Sequence, residues 1–279
     1  MIIDCHTHIF PKAIRDKREA YFPGEPAFEL LYRSPKARVV GARELIEAMD
    51  CNGVEKSVVF GFPWTALDTI KMHNDYVATA VQQFPSRLIG LCCLDPSHPQ
   101  APVEAERCLG SGFHGIGELA FYHSGIDENV LLALAPIMDF CRDKAVPVMI
   151  HTNEPVGHHY PGKTPNTLGQ ILRLVQTFSH NTIVLAHWGG GLFFFNLLKK
   201  ELKESLTNVY FDTAASPFLY DAEIYRLAIT IIGVEKIILG SDFPLLTPDR
   251  YVNEMRAAGL TADEVDAICS RNARKVFGI

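Results

Sequence analysis

The chain contains eight short apolar runs, and each run leads into a polar or small side chain. Continuous apolar runs of this length are typical of parallel strands that are buried on both faces. The runs, each with the residue that follows it, are Ile2–Ile3 (His6), Ser57–Phe60 (Gly61), Leu88–Leu94 (Asp95), Phe113–Ile116 (Glu118), Val146–Ile150 (His151), Thr182–Ala186 (His187), Val209–Phe211 (Asp212) and Lys236–Leu239 (Ser241 and Asp242).

Helical periodicity fills the intervals between these runs. Apolar residues recur at helical spacing over Ala42–Met49, Asn74–Phe84, Asn129–Cys141, Thr167–Phe178, Leu192–Leu202 and Ala222–Ile232. One strand and one helix recur about every 30 residues, which is the size of a βα unit. The alternation predicts an α/β fold, either a (β/α)₈ TIM barrel or a doubly wound sheet. The barrel is favoured because polar residues follow the strands, where barrels place their chemistry.

One stretch interrupts this alternation. Residues 10–41 contain four prolines mixed with basic and aromatic residues, and we predict an insertion after strand one that forms a lid over the barrel mouth. A passive surface excursion is the alternative. No linker divides residues 1–279, so we predict a single domain. At the end of the chain, Thr261 and Glu264 have the spacing of a capping box, which predicts that a terminal helix begins there.

The ends of the predicted strands carry metal-ligating side chains. His6 and His8 are two residues apart on one strand, so their imidazoles point to the same side. His151, His187 and Asp242 follow three further strands, and in a barrel all of these ends face one mouth. Histidine and carboxylate ligands without cysteine are typical of a catalytic site for Zn²⁺, with Mn²⁺ or Fe²⁺ as alternatives.

The combined motifs resemble the amidohydrolase superfamily. They are Asp-x-His-x-His at 4–8 followed by Pro11, His151 after an apolar strand, Ala-His-Trp-Gly-Gly-Gly at 186–191, Gly-Ser-Asp-Phe-Pro at 240–244 and Asn-Ala-x-x-Val-Phe at 272–277. The chain is most similar to the amidohydrolase-related branch (amidohydrolase 2) that includes aminocarboxymuconate-semialdehyde and resorcylate-type decarboxylases. The resemblance implies a (β/α)₈ barrel, a divalent metal, the ligands His6, His8, His151 and Asp242, and a catalytic His187.

Glu118 is similar instead to a glutamate of TatD-like hydrolases, which bridges two metals at the end of strand four. If Glu118 does so here, His151 and His187 hold the second ion, and His6, His8 and Asp242 hold the first. A salt-bridged barrel residue or a substrate contact is the alternative interpretation of Glu118. The number of ions, one or two per chain, stays open.

Residues in the loops after the strands are candidates for substrate contacts. Aromatic and polar side chains in such loops suit a small organic acid, lactone or ring. The candidates are Trp64 after strand two, Glu154, His158 and Lys163 after strand five, and Trp188 after strand six. A carboxylate substrate would need a cation, for which Lys163, Arg33, Arg38 and Arg43 are candidates. The glycines at 189–191 either approach an oxyanion through their N–H groups or only permit a tight turn.

These observations favour a metal-dependent hydrolase of a small-molecule substrate, such as an ester, lactone or amide. A metal lowers the pKa of its bound water to about 7, Asp242 would accept and pass on the proton, and His187 would stabilise an oxyanion. The alternative is a metal-dependent decarboxylase or lyase that acts on an aromatic or unsaturated carboxylic acid. A non-catalytic metal-binding barrel is a third, weaker hypothesis.

The composition indicates which binding partners and which cellular compartment are expected. The net charge of −6 gives no electrostatic footprint for nucleic acid, and no apolar run is long enough to span a membrane. The seven cysteines are odd in number and contain no CxxC pair, so we expect a reducing, cytoplasmic compartment. Base rates for soluble enzymes favour a homodimer.

Overall fold

Eight parallel strands form the centre of the protein, in a computed structural model that describes residues 1–198 and 202–279. Each strand is short and almost entirely buried, as the apolar runs predict. Their bounds are Ile2–His8 (β1), Val54–Phe60 (β2), Leu88–Gly90 (β3), Ile116–Leu119 (β4), Val148–Ile150 (β5), Ile183–Leu185 (β6), Val209–Asp212 (β7) and Ile237–Ile238 (β8).

The strands follow one another around a ring in sequence order. Continuous ladders join β1 to β3 and β4 to β8. A parallel bridge from Cys92 to Ile116 joins the two ladders at one seam, and a bridge from Thr7 to Phe243 joins them at the other. Backbone hydrogen bonds support both seams, among them one of 2.8 Å from the Cys5 N–H to the Leu239 carbonyl. The fold is therefore the predicted (β/α)₈ barrel.

Helices surround the ring and bury the outer faces of the strands. Four of the predicted helices are present at nearly the predicted bounds, and a fifth, predicted over Asn74–Phe84, extends over Leu67–Gln83. The helices of at least seven residues are Pro26–Tyr32, Ala42–Asn52, Leu67–Gln83, Ala101–Gly110, Glu128–Asp143, Leu168–Thr177, Glu223–Ile232 and Pro248–Ala257. Shorter helices are Lys12–Asp16, Leu202–Ser205, Ser216–Leu219, Ala262–Asp266 and Asn272–Phe277, with a π turn at Ala267–Arg271 and 3₁₀ turns at Arg18–Tyr21 and Val234–Lys236.

Alternate residues of each strand belong to two different cores. In β2, Val58 and Phe60 pack inside the barrel with side chains such as Ile3 and Met149, whereas Val59 packs among the surrounding helices. Val276 of the last helix packs against the interior set and helps to close the end of the barrel. Because both faces of the ring are buried, the ends of the strands are the places where polar side chains reach solvent.

The predicted helix Leu192–Leu202 is wrong over most of its length. The chain from His187 to Leu197 forms 3₁₀ turns that are interrupted by left-handed residues at 188–191. Residues 199–201 lie outside the described part of the chain. Three consecutive glycines favour these left-handed conformations and disfavour a helix, and this competing preference overrides the apolar periodicity that follows.

The segment 10–41 folds into three short helical pieces at the mouth of the barrel. Phe28 is buried against Trp64 and Phe62, with ring centroids 4.4 Å and 5.4 Å apart. Leu31, Tyr32, Lys36, Ala37 and Arg38 line the cavity described below. The segment therefore covers the mouth, while its action as a mobile lid stays a prediction.

Two further sequence expectations concern the helices. Near the chain end, Thr261 Oγ1 accepts a hydrogen bond from the Glu264 N–H, and the Glu264 carboxylate accepts one from the Thr261 N–H, so the capping box is confirmed. Across the described residues, 1–198 and 202–279, we find no helix that is both long enough and apolar enough to cross a membrane.

Candidate metal centre and active site

The six metal-ligating residues singled out from the sequence lie together at one end of the barrel. His6 and His8 belong to β1 and Glu118 belongs to β4, whereas the other three follow strands β5, β6 and β8. The carboxyl ends of parallel strands share one rim, so residues far apart in sequence become neighbours. These residues are His6, His8, Glu118, His151, His187 and Asp242.

One set of ligand atoms surrounds a common point. His6 Nε2 lies 3.4 Å from Glu118 Oε2 and 3.6 Å from Asp242 Oδ1. His8 Nε2 lies 3.7 Å and 3.5 Å from the same two oxygens. Two ligands held at about 2.1 Å by one tetrahedral ion are about 3.4 Å apart. The four distances therefore fit a divalent metal ion between these side chains.

The nitrogen that would bind this ion has no protein partner. His6 is fully buried, and its Nε2 makes no hydrogen bond within the described part of the chain. An unpaired buried polar atom costs roughly 1–3 kcal/mol. A bound cation would remove that cost, so the residues present fit the metal that the ligand types indicate.

The other oxygen of Glu118 faces a second pair of histidines. His151 Nδ1 lies 2.9 Å from Glu118 Oε1, and His187 Nε2 lies 3.4 Å from the same oxygen. The Nε2 of His151 is 3.0 Å from the Gly162 carbonyl. The ligand atoms of Glu118, His151 and His187 thus form one group within 4.8 Å of one another, and those of Glu118, His6 and His8 form another.

Hydrogen bonds on the far side of each imidazole fix its orientation. The Nδ1–H groups of His8 and His187 donate to the carbonyls of Gly61 and Ala214, over 3.1 Å and 3.0 Å. His6 Nδ1–H donates to a carboxylate oxygen of Asp212 over 2.8 Å. Bonds of this kind select the tautomer that presents Nε2 to a metal or substrate.

Asp212 is a functional residue that the sequence interpretation did not single out. Its other oxygen accepts hydrogen bonds from the backbone N–H groups of His187 and Ala214, over 2.8 Å and 3.0 Å. One fully buried carboxylate therefore positions both His6 and His187. Its place after the seventh apolar run was the available signal, because His151 and His187 were recognised from the same kind of position.

The charges of the cluster depend on one another. Burial alone would raise the pKa of Glu118, but His6 and His151 lower it well below its usual value. Burial would also raise the pKa of Asp242, whereas the hydrogen bond from His8 and the charge of His6 lower it. Both carboxylates are therefore ionised at neutral pH in surroundings of low dielectric constant, which favours the binding of a cation.

Two residues of the cluster have left-handed backbone conformations although they carry side chains. His187 has φ 53° and Asp242 has φ 61°. Such conformations cost of order 1–3 kcal/mol and persist where the surrounding structure enforces them. At His187, the backbone N–H is held by a hydrogen bond to Asp212. Near Asp242, Gly240 packs so closely against His6 that a Cβ atom on Gly240 would lie 2.7 Å from the His6 Cβ.

A cavity of about 590 Å³ opens directly above the cluster. His8, Glu118, His151, His187 and Asp242 form its floor. Much of its wall consists of the aromatic side chains of Tyr32, Phe62, Tyr122, Tyr160 and Phe218. Near the rim lie two cations, Lys36 and Arg38, and the aliphatic side chains of Leu31, Leu219 and Leu245. Apolar walls with a few polar groups are typical of a site for a small molecule.

Of the predicted substrate contacts, only His158 lines this cavity. Trp64 and Trp188 are fully buried, and their indole N–H groups donate to His73 Nδ1 and Ser216 Oγ over 2.8 Å and 2.9 Å. The structure therefore places both tryptophans in the core behind the wall. A sequence cannot distinguish the two faces of a loop that follows a strand.

Glu154 and Lys163 bind each other instead of lining the cavity. Lys163 Nζ lies 2.8 Å from Glu154 Oε1, and Glu154 Oε2 accepts a hydrogen bond of 2.9 Å from the Tyr160 hydroxyl. This pair holds the loop that carries His158 and Tyr160. Among the four cations proposed for a substrate carboxylate, Arg38 alone lines the cavity, and Lys36 is a second cation that the sequence interpretation missed.

His73 is a buried histidine that the sequence interpretation did not single out. Its side chain is buried between the Trp64 indole and the Ile9 carbonyl, 2.6 Å from His73 Nε2. It lies in a long helix at a position that faces the barrel. The hydrophilic character of histidine gave no signal of this burial.

The comparisons with known proteins agree with the fold. The family described as amidohydrolase (Amidohydro_2) matches residues 3–279. The 2-amino-3-carboxymuconate-6-semialdehyde decarboxylase of Dictyostelium discoideum is 24% identical over 339 aligned positions, which cover 99% of this chain and 91% of that protein.

Two solved structures illustrate the similarity of fold. The 5-carboxyvanillate decarboxylase of Sphingomonas paucimobilis has a TM-score of 0.78 at 18% identity, with coverage of 100% of this chain and 99% of that one. The dihydroxybenzoic acid decarboxylase of Polaromonas sp. JS666, with bound manganese and the inhibitor 2-nitroresorcinol, has a TM-score of 0.73 at 19% identity, with coverage of 99% and 96%. Because the family match extends over almost the whole chain, this protein belongs to the amidohydrolase family.

Proposed function

We propose that the protein is a metal-dependent decarboxylase that releases CO₂ from an aromatic or unsaturated carboxylic acid. The observation that carries this proposal is the position of the aromatic, cation-rimmed cavity directly above the histidine–carboxylate cluster. A flat anionic substrate matches both features, and the relatives named above are decarboxylases of such acids. The comparisons support this alternative better than the hydrolytic interpretation that the sequence placed first.

The proposed metal ligands are His6, His8, Glu118 and Asp242, whose atoms have the spacing described above. A divalent ion bound there would act as a Lewis acid that polarises substrate oxygens. Zn²⁺ is the ion expected from the ligand types, and manganese is bound by one of the similar structures.

The rim and wall of the cavity would hold the substrate. Arg38 lies at the rim, where its guanidinium donates to the Pro244 carbonyl over 3.3 Å and lies over the Phe243 ring. Together with Lys36, it is placed to bind a carboxylate of the substrate. Burial raises the pKa values of Tyr32 and Tyr122, so both hydroxyls remain protonated and can donate hydrogen bonds to a ring oxygen.

Decarboxylation breaks a C–C bond and leaves its electron pair on carbon, which must then receive a proton. Asp242 and His187 both face the cavity from its floor. We assign to Asp242, which is ionised in the free enzyme, the role of accepting a proton from water or the substrate and transferring it to that carbon. His187, oriented by Ala214 and Asp212, presents Nε2 for a hydrogen bond to the reacting group.

A CO₂-release assay on metal-loaded enzyme tests this proposal. The substrate panel should contain hydroxylated benzoic acids and dienoic carboxylic acids. Asp242→Asn and His187→Gln are expected to lower turnover by at least about 10²-fold, whereas His180→Gln, at an exposed histidine, should have no effect. Absence of CO₂ release across the panel would contradict the proposal.

Hydrolysis is a second candidate, favoured by one observation. Each oxygen of Glu118 faces a different pair of histidines, an arrangement that suits a carboxylate bridging two ions. Metal analysis distinguishes the two cases. The count is made on Cys108→Ser, so that an ion bound by Cys92, Glu104 and Cys108 does not contribute. About one ion per chain then indicates that only one face of Glu118 is used. About two ions per chain, a number lowered by Glu118→Gln, together with cleavage of esters or lactones would support the hydrolase. No bound metal after reconstitution would contradict both functions.

A further inference from the structure

A second group of metal-ligating side chains lies outside the barrel, between the end of β3 and the helix Ala101–Gly110. Cys92 follows β3, and Glu104 and Cys108 are four residues apart on one face of that helix. All three side chains are buried, and the possible ligand atoms lie within 4.8 Å of one another. The cluster shares no residue with the catalytic cluster.

The spacing within this group fits a tetrahedral zinc ion. Cys108 Sγ lies 3.4 Å from Glu104 Oε1. A tetrahedral ion with a Zn–S distance of about 2.3 Å and a Zn–O distance of about 2.0 Å separates such ligands by about 3.5 Å. Cys92 Sγ lies within 4.8 Å of both other ligand atoms, so ligands from two parts of the chain lie close together.

The neighbouring polar groups have the positions of hydrogen-bond donors around a metal site. The Asn74 amide donates to Cys92 Sγ over 3.5 Å and to Glu104 Oε1 over 2.9 Å. Arg107 donates to both oxygens of Glu104, over 2.7 Å and 2.8 Å. Donors of this kind stabilise thiolate and carboxylate ligands and hold them in place.

The charges balance with and without an ion. Without one, Glu104 and Arg107 neutralise each other, and the Cys108 thiol donates its proton in a hydrogen bond to the Glu104 carboxylate. When a Zn²⁺ ion binds, the Cys92 and Cys108 thiols each lose a proton to solvent as two Zn–S bonds form. One divalent cation thus replaces two protons, and the net charge of the buried group stays at zero.

We propose that Cys92, Glu104 and Cys108 form a second metal site, which binds a thiophilic divalent cation such as Zn²⁺. The ion would connect the end of β3 to the helix that follows it. The remaining coordination position is available to a water molecule or to the second oxygen of Glu104. This site is independent of the proposed reaction, since none of its ligands contacts the cavity.

Cobalt substitution tests this proposal on the full-length enzyme. Co²⁺ bound to thiolates gives a sulfur-to-metal charge-transfer band, which the histidine–carboxylate cluster cannot give because it contains no cysteine. We expect this band to saturate at one thiolate-bound Co²⁺ per chain, in addition to any Co²⁺ held by the histidine–carboxylate cluster, and each thiolate-bound ion to release two protons. Cys108→Ser and Cys92→Ser should abolish the band, and Cys141→Ser, at a buried cysteine elsewhere, should keep it.

Two results would overturn the proposal. One is the absence of the band in the wild-type protein with Co²⁺ in excess, and the other is its persistence in both serine variants. If either variant fails to fold, cadmium NMR on the wild-type protein decides the matter. A resonance at the shift of a cadmium ion with two sulfur ligands supports the site, and resonances of nitrogen and oxygen ligation alone contradict it.

Discussion

The buried His73 makes the stability of the protein depend on pH in a predictable direction. Its Nδ1 accepts a hydrogen bond from the Trp64 indole, and its Nε2–H donates to the Ile9 carbonyl. The bond from the indole requires the neutral imidazole, because a proton on Nδ1 would face the Trp64 N–H. Burial accordingly lowers the pKa of His73 from 6.5 to about 4.

The size of the effect follows from this pKa. Between pH 4 and 6.5 the unfolded chain binds a proton at His73 that the folded protein excludes, so the free energy of unfolding rises with pH in this window. The contribution is fully present above pH 6.5 and is lost as the pH falls toward 4. At 1.36 kcal/mol per pKa unit the whole loss is about 3 kcal/mol, of which about 2 kcal/mol is lost by about pH 5.

Urea unfolding at about pH 7.5 and about pH 5 measures this loss. His73→Gln keeps a donor and an acceptor but cannot titrate, so its free energy of unfolding should fall by about 2 kcal/mol less than that of the wild type. His180→Gln, at an exposed histidine, is the matched control and should behave as the wild type. Groups common to all three proteins cancel in the comparison. An equal fall in His73→Gln and wild type would refute the reasoning.

Three substitutions test other parts of the site and its support. Asp212→Asn should weaken metal binding about 10–100-fold, because the amide no longer fixes the His6 tautomer. Asp139→Asn, at an exposed carboxylate, should leave metal binding unchanged. Equal metal affinities of Asp212→Asn and wild type in isothermal titration would contradict the positioning role of Asp212. Arg38→Ala should raise KM by roughly 10–100-fold, because a charged hydrogen bond to the substrate of about 1.5–3 kcal/mol is lost. An unchanged KM would show that Arg38 does not bind the substrate carboxylate. In urea unfolding, Gly190→Ala should lower the free energy of unfolding by about 1–3 kcal/mol more than Gly259→Ala does. Both glycines have positive φ, but of the two only Gly190 would place a Cβ against a backbone oxygen, at 2.4 Å. Equal losses would show that the contact relaxes freely.

The barrel could be predicted from the sequence because burial on both faces gives every strand the same apolar character. The order of the runs then determines the order of the strands around the ring, and the rim follows from their direction. The segment from His187 to Leu197 could not be predicted in this way. Its apolar residues suggest a helix, but the preceding glycines place the chain in a left-handed turn, and local backbone preference overrides the periodicity.

The metal-ligating residues could be predicted for the same reason, since position at a strand end is enough to bring them together. The substrate contacts could not, because a loop residue can point toward the cavity or toward the core. Trp64 and Trp188 point toward the core, where each indole has a buried hydrogen-bond partner. Arg38 and Lys36 reach the cavity from the segment 10–41, whose path over the mouth has no periodicity from which it could be inferred.

Asp212 shows why position alone does not reveal a role. It occupies a strand end as Asp242 does, yet its carboxylate is fully buried and faces the backs of His6 and His187. Asp242 remains partly exposed at the cavity floor, where it can reach a substrate. The two aspartates therefore have different roles. Asp212 fixes the imidazoles from behind, whereas Asp242 is a proposed metal ligand that also faces the substrate and can exchange a proton. Loss of Asp212 is expected to lower metal affinity alone, whereas loss of Asp242 is expected to lower metal affinity and also to remove turnover in enzyme that excess metal keeps loaded.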